Sequence, residues 1–195
     1  MKNIIGLTGP TGSGKSTFSA IAKEKGFGII DCDKLSRLVT KEGSECLIKL
    51  SLEFGNDILK DGKLDRKLLA KRAFTDIKRK EKLEEIIFPY ILNEVIERIN
   101  GDESDNILLD APTLFESGLD EMCGSTIAVL CPKQKRKERI IIRDNLTEEQ
   151  AEIRLNAGKD DSFYLERADF ILNNSENEND YIARCSELIN NLLEE

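Results

Sequence analysis

Gly9-Pro10-Thr11-Gly12-Ser13-Gly14-Lys15-Ser16 matches the pattern G-x-x-x-x-G-K-[ST] at every fixed position. Chemistry explains the spacing. Glycines let successive backbone N–H groups curl around phosphate oxygens. A helix opening near Lys15 would aim its N-terminal donors, and the positive end of its dipole, at the same anion. Lys15 is expected to reach the β- and γ-phosphates of ATP, and Ser16 to set its hydroxyl on Mg²⁺. Thr11, Gly12, Ser13, Gly14 and Thr17 complete the segment expected to bind ATP. At average glycine usage, a chance match in a chain of 195 residues is on the order of one per cent.

The flanking sequence places the loop. Asn3 to Leu7 is a short apolar run that stops at the glycines and reads as a buried strand. Beyond the loop, Phe18, Ile21 and Ala22 recur at helical spacing, and Gly26 closes that segment. Gly28-Ile29-Ile30-Asp31 reads as a second strand, Ile107 to Asp110 as a third, Thr126 to Leu130 as a fourth and Phe170 to Leu172 as a fifth. Residues 34–100 read as mostly helical. Leu64, Leu68, Leu69 and Phe74 lie near one helical face, and Leu83, Ile86 and Ile87 lie on another. Pro89 is expected to bend or split that second helix. Further helices are expected over Lys133 to Arg143, Thr147 to Leu155 and Ile182 to Leu193, with Thr147 and Gln150 forming a capping box.

Strands separated by helices imply an α/β fold, a doubly wound, mainly parallel five-stranded P-loop sheet with helices on both faces. Ligands of such sheets sit at the carboxyl ends of the strands. The loops after Leu7, Ile30, Leu109 and Leu130 therefore carry the candidate chemistry.

Composition removes several function classes. The net charge of -8 argues against a nucleic-acid partner, because phosphate backbones need a basic face. No apolar run approaches 18 residues, so no membrane span is expected. The N-terminal apolar stretch is too short for a signal peptide, and a cytoplasmic location is expected. The five cysteines include no C-x-x-C pair and read as reduced thiols. There is no histidine, so a general base must come from another side chain, a carboxylate above all. The oligomeric state stays open, with a monomer favoured.

Asp31 and Asp33 follow the second strand, and Asp33 is 18 residues beyond Lys15. A carboxylate there can accept or orient the proton of an acceptor hydroxyl, help typically worth about 10²–10⁴-fold. Either residue can instead cap a helix. Asp110 ends an apolar strand in a Walker-B-like position and is read as a metal residue, directly or through water. Lys133, Lys135, Arg136, Lys137, Arg139 and Arg143 crowd one short stretch of an acidic chain. Arg139 and Arg143 are four apart, so they share a helix face on which guanidiniums could close over phosphates.

Taken in order, these segments resemble dephospho-CoA kinase. The resemblance runs from Gly6-Leu7-Thr8-Gly9 and the loop through Asp31-Cys32-Asp33, Phe54-Gly55 and Asp61-Gly62-Lys63-Leu64-Asp65-Arg66. It continues through Pro112-Thr113-Leu114-Phe115-Glu116, Arg139-x-x-x-Arg143-Asp144 and Ala168 to Asn174. It implies transfer of the ATP γ-phosphoryl group to the 3′-hydroxyl of the dephospho-CoA ribose, with ATP and dephospho-CoA as substrates. It also implies three parts: a core over about 1–58, 104–132 and 168–195, a helical CoA-side insert over 59–103, and a lid over 133–167. By carry-over Asp33 is the base, Lys15 the phosphate clamp and Arg143 a lid arginine. Arg139 and Asn173 join the ATP-binding set, and Thr8, Asp31 and Arg66 lie on the substrate side. The chain departs from the family pattern at Pro10, Thr113, Phe88 and Gly158.

A switch GTPase would carry an N-K-x-D motif, and the chain has none. Two other readings stay open on sequence: a small-molecule kinase of shikimate or gluconate type, and a non-catalytic nucleotide-binding protein.

Overall fold

The computed structural model describes residues 2–175 and 177–194. The chain forms β1 (Asn3–Thr8), α1 (Lys15–Glu24), β2 (Gly28–Asp31), α2 (Cys32–Val39), α3 (Glu45–Phe54), β3 (Leu59–Lys60), β4 (Lys63–Leu64), α4 (Arg66–Ala73) and α5 (Ile77–Gly101). It continues through β5 (Asn106–Asp110), β6 (Ser125–Leu130), α6 (Lys133–Asp144), α7 (Glu148–Asn156), α8 (Asp161–Leu165), β7 (Phe170–Asn173) and α9 (Glu178–Glu194). Two compact units result. One runs to Ile30 and resumes at Glu103; the other is Asp31–Asp102. The second unit thus takes in α2 and α3, ahead of residue 59.

The first unit is built on a five-stranded sheet in the order β2-β5-β1-β6-β7. β1 pairs in parallel with β5 and β6, and β6 with β7. Alternation along each strand assigns its two faces. Ile5 and Leu7 of β1, Leu108 of β5, Ile127 and Val129 of β6 and Leu172 of β7 pack with Phe18 and Ala22 of α1 and with Tyr181, Cys185, Ile189 and Leu192 of α9. The alternate residues Ala128 and Leu130 turn to the other face and pack with Tyr164 of α8, Phe115, Phe163 and Ile171. Helices therefore cover both faces, and the expected doubly wound parallel sheet is present. Two apolar faces explain why the strands read as near-continuous apolar runs. Beyond β6, Ile140 of α6 packs with Ala151 and Leu155 of α7. The capping box that starts α7 forms as its sequence implies: Gln150 N–H donates to Thr147 Oγ1 at 3.2 Å, and Thr147 N–H donates to Gln150 Oε1 at 3.0 Å.

The second unit is helical around Cys46, Leu50, Phe54, Ile58, Leu69 and Ala73, with Leu83, Ile86, Ile87 and Tyr90 of α5 packed against them. Three expectations change here. Pro89 does not split its helix: α5 runs unbroken for 25 residues. Proline in a helix interior costs about 3 kcal/mol. Apolar packing on both sides of it, through Ile86, Ile87 and Tyr90 before and buried Ile91, Val95 and Ile99 after, offsets that cost. Phe74 does not join the buried face; it is the C-cap of α4 and is 62% exposed. A two-stranded hairpin, β3–β4, interrupts the helices. Asp61 and Gly62 both have positive φ, at 49° and 77°, which is the geometry of a two-residue hairpin turn.

No described helix is long and apolar enough to cross a membrane.

The sheet core sets a stability expectation. Leu108→Ala should cost about 2–5 kcal/mol, whereas Ile142→Ala, at a side chain 83% exposed, should stay within about 0.5 kcal/mol. Urea unfolding midpoints of the two variants check this.

Candidate active site

The glycine-rich loop leaves β1 and enters α1, whose N-cap, Gly14, offers no side-chain acceptor to the helix's first donors. Those N–H groups are the ones an anion would take up. The carbonyl side of the loop, by contrast, is gripped from three elements. From α6, Arg139 Nη1 donates to Gly12 O and Ser13 O, at 3.2 Å each. Asn174, just past β7, gives its Nδ2 to Ser13 O at 2.7 Å. From α9, Tyr181 donates its hydroxyl to Gly14 O at 3.0 Å. Arg139 Nη2 also donates to Asn174 Oδ1 at 3.2 Å, which locks two of the grips together. Lys15 rests its Nζ on Gly9 O at 2.7 Å, folded back over the loop.

Gly14 cannot be replaced without strain. Its φ is +114°, and a Cβ there would stand 2.2 Å from Asn174 Nδ2. Ser13 is fully buried, and its Oγ has no hydrogen-bond partner among the described residues. A buried hydroxyl without a partner beside an uncapped helix start suits the phosphate oxygens of a nucleotide.

The loop after β5 supplies the candidate metal carboxylate. Asp110 ends β5, and its Oδ2 accepts from Ser19 Oγ at 2.9 Å, which fixes the carboxylate beside α1. Ser16 is exposed in the first turn of the same helix. Among the described residues no group of three or more His, Cys, Asp or Glu could hold a metal. One hydroxyl and one carboxylate form a hard-oxygen set, which fits an ion that keeps its waters and leans on substrate phosphates, as Mg²⁺ does.

One expected contact is corrected. Thr8 is fully buried, and its hydroxyl donates to Pro112 O at 3.3 Å. It ties the end of β1 to the loop after β5 and has no surface left for a substrate. Of the asparagine pair, Asn174 is buried against the phosphate loop, while Asn173 is exposed at the end of β7. Successive strand residues face opposite ways, so only one of the two can meet the loop.

On α6, Arg143 lies one turn beyond Arg139 and makes a bidentate pair with Asp144, 2.8 Å on each branch. Arg154 joins the same carboxylate at 2.6 Å. The hydrogen bond from Arg143, aided by both positive charges, holds the Asp144 carboxyl below its usual range. Arg143 remains half exposed.

In the second unit, Asp31 caps α2: its Oδ1 accepts from Lys34 N–H at 3.0 Å, and Oδ2 pairs with Lys34 Nζ at 3.0 Å. Asp33 follows in the first turn of α2 and is exposed, so the cap role falls to Asp31 and leaves Asp33 carboxyl facing water. Arg66 opens α4 and donates to Thr40 Oγ1 at 2.7 Å. Burial, then the charge of Arg37, pulls its guanidinium below the usual range. Two like charges held near each other raise the affinity of the spot for an anion. Sequence reading missed Arg37; only the fold of α4 onto the end of α2 marks it.

The model of the dephospho-CoA kinase family matches residues 3–180. The chain belongs to the dephospho-CoA kinase family. A dephospho-CoA kinase of Idiomarina loihiensis is 36% identical over 158 residues, covering 80% of this chain and 78% of that one. The solved structure of dephospho-CoA kinase from Campylobacter jejuni superposes with a TM-score of 0.70 at 32% identity, over 98% of each chain. TT1252 from Thermus thermophilus superposes with a TM-score of 0.85 at 28% identity, again over 98% of each. The family match takes in the glycine-rich loop, Asp31 to Asp33 and the arginines of α6. It also spans Phe88, half-buried within α5, and Gly158, exposed just past α7.

Gly14→Ala tests the loop. With φ at +114° and Asn174 in the way, the variant should bind ATP roughly 5- to 150-fold more weakly, as strain of about 1–3 kcal/mol implies. Isothermal titration with ATP reads the change.

Proposed function

We infer that this chain transfers the γ-phosphoryl group of ATP to the 3′-hydroxyl of the dephospho-CoA ribose, yielding coenzyme A and ADP. One observation carries the reading: the family match is continuous from the phosphate loop through the Asp31–Asp33 segment to the lid arginines. Donor-side and acceptor-side residues therefore occur together in one chain, which a non-catalytic nucleotide-binding protein would not require.

Each residue has a proposed task. The loop from Thr11 to Thr17 takes the ATP phosphates on its N–H side, and Lys15 leaves Gly9 O to follow the γ-phosphoryl group as it moves. Asp33 accepts a hydrogen bond from the 3′-hydroxyl and takes its proton as the oxygen attacks phosphorus and the bond to the ADP oxygen breaks. This assignment is supported by the exposure of Asp33 and by its neighbour Asp31 already serving as the cap. Arg143 stabilises charge on the transferring group, and Asp144 orients it until the substrate arrives. Arg139 acts on ATP through the loop that it grips. Arg66, with Arg37 beside it, meets the diphosphate of dephospho-CoA. Mg²⁺ held at Ser16 and Asp110 would neutralise phosphate charge when bound.

The segment 59–103 is proposed as the CoA-side region and 133–167 as a lid whose closure keeps water from the phosphoryl group. A cytoplasmic monomer is proposed as well; none of the five cysteines is in a disulfide, which suits a reducing compartment.

The deciding assay combines the chain, ATP and a panel of acceptors, with products identified by mass. Dephospho-CoA should gain one phosphoryl group on its ribose. ADP release that depends only on another acceptor, such as a small polyol acid, would overturn the reading. Asp33→Asn should lower kcat by about 10²–10⁴-fold with ATP affinity unchanged within twofold. Turnover close to wild type would remove Asp33 from the mechanism.

A further inference from the structure

Tyr181 lies one residue past the end of the family match and was not among the residues that the sequence singled out. It sits in the first turn of α9, four residues into the helix, and it is the largest fully buried side chain among the described residues of that helix. Its ring packs in the sheet core with Cys185, Ile189 and Phe18. Its hydroxyl, however, emerges at the phosphate loop and donates to Gly14 O at 3.0 Å.

We propose that Tyr181 is a positioning residue for nucleotide binding, which aims the backbone N–H of Lys15 at the phosphate chain by holding the carbonyl of Gly14. The argument starts from the peptide plane. A trans peptide is planar, so the C=O of one residue and the N–H of the next point in opposite directions. The peptide between Gly14 and Lys15 therefore cannot present its N–H to a ligand unless its carbonyl points away. Gly14 is the least restrained residue at which to ask for this, because it has no side chain and already occupies positive φ. Its carbonyl accepts one hydrogen bond from Thr17 N–H, at 3.1 Å, as α1 begins. Tyr181 supplies the second and fixes the plane from the side. Burial pushes the phenol's pKa well up, so the group stays a donor at any working pH.

The neighbouring peptide is held in the same manner. Asn174 and Arg139 grip Ser13 O, which turns the N–H of Gly14 the other way. Tyr181 completes the set from the opposite end of the chain. It also couples the loop to α9, since any shift of that helix within the core moves the hydroxyl.

The inference rests on the loop's taking nucleotide phosphates, so the test separates the two. Wild-type chain, Tyr181→Phe and Leu192→Ala are titrated with ATP by calorimetry. Leu192 is buried in the same helix but touches the core rather than the loop. Tyr181→Phe should weaken ATP binding roughly tenfold, the effect of leaving the Gly14 carbonyl with the Thr17 N–H alone and one N–H free to swing. The KM for ATP should rise by a similar factor, with the KM for dephospho-CoA unchanged. Leu192→Ala should lower the urea midpoint more than Tyr181→Phe does, yet leave ATP affinity within twofold. In amide NMR spectra, the ATP-induced shift of the Lys15 N–H should shrink in Tyr181→Phe. Equal ATP affinity in Tyr181→Phe and wild type, or an equal loss in Leu192→Ala, would overturn the proposal. Absence of ATP binding by the wild-type chain would instead overturn the reading of the loop itself.

Discussion

Three consecutive carbonyls, those of Gly12, Ser13 and Gly14, are turned outward and held by Arg139, Asn174 and Tyr181. The rest of the first unit can be understood as what this constraint requires. Glycines make the loop able to adopt the necessary backbone angles, but that same freedom lets it adopt many others. A phosphate cradle needs one conformation, with its donors facing a single point. Side chains from α6, from the end of β7 and from α9 select it. Those elements occupy their places because the sheet core holds them there. Apolar burial under α1 and α9 thus has a direct consequence for anion binding, one hydrogen bond removed.

The arginines of α6 and α7 settle on different partners. Among the described residues Arg139 pairs with no carboxylate and donates to backbone carbonyls and to Asn174. Arg143 and Arg154 share Asp144, which restrains both side chains. Such a pair is exposed and worth little in stability. In the second unit, Arg66 donates to Thr40 Oγ1, and burial together with the positive charge of Arg37 pulls its guanidinium below the usual range.

Much of this was legible in the chain. The five strands, the parallel α/β architecture and the capping box at Thr147 followed from apolar runs and local motifs, because each depends on neighbours within a few residues. That α5 is not split at Pro89 and that Phe74 is exposed were not legible for one reason. Both depend on how much apolar surface lies nearby in space: α5 continues through Pro89 since packing on both sides offsets one missing hydrogen bond, and Phe74 is a cap beyond the end of its amphipathic stretch. The hairpin at Asp61-Gly62 had a local signature, two residues suited to positive φ, but the helical pattern around it concealed strands only two residues long.

The sequence by itself determined the chemistry of the loop. A run of glycines, a lysine and a serine at fixed spacing can cradle phosphate in very few ways, since the peptide N–H groups and the helix start are properties of the backbone. It also marked Asp33 and the arginines of α6 as candidates by type and position. Only the tertiary structure decided which asparagine of the pair at 173 and 174 meets the loop, that Thr8 is sealed inside, that Arg139 grips carbonyls, and that Tyr181 reaches Gly14 from 167 residues away. Those contacts join segments that are far apart in the chain, and their geometry is set by the packing of strands and helices between them. No local pattern encodes it.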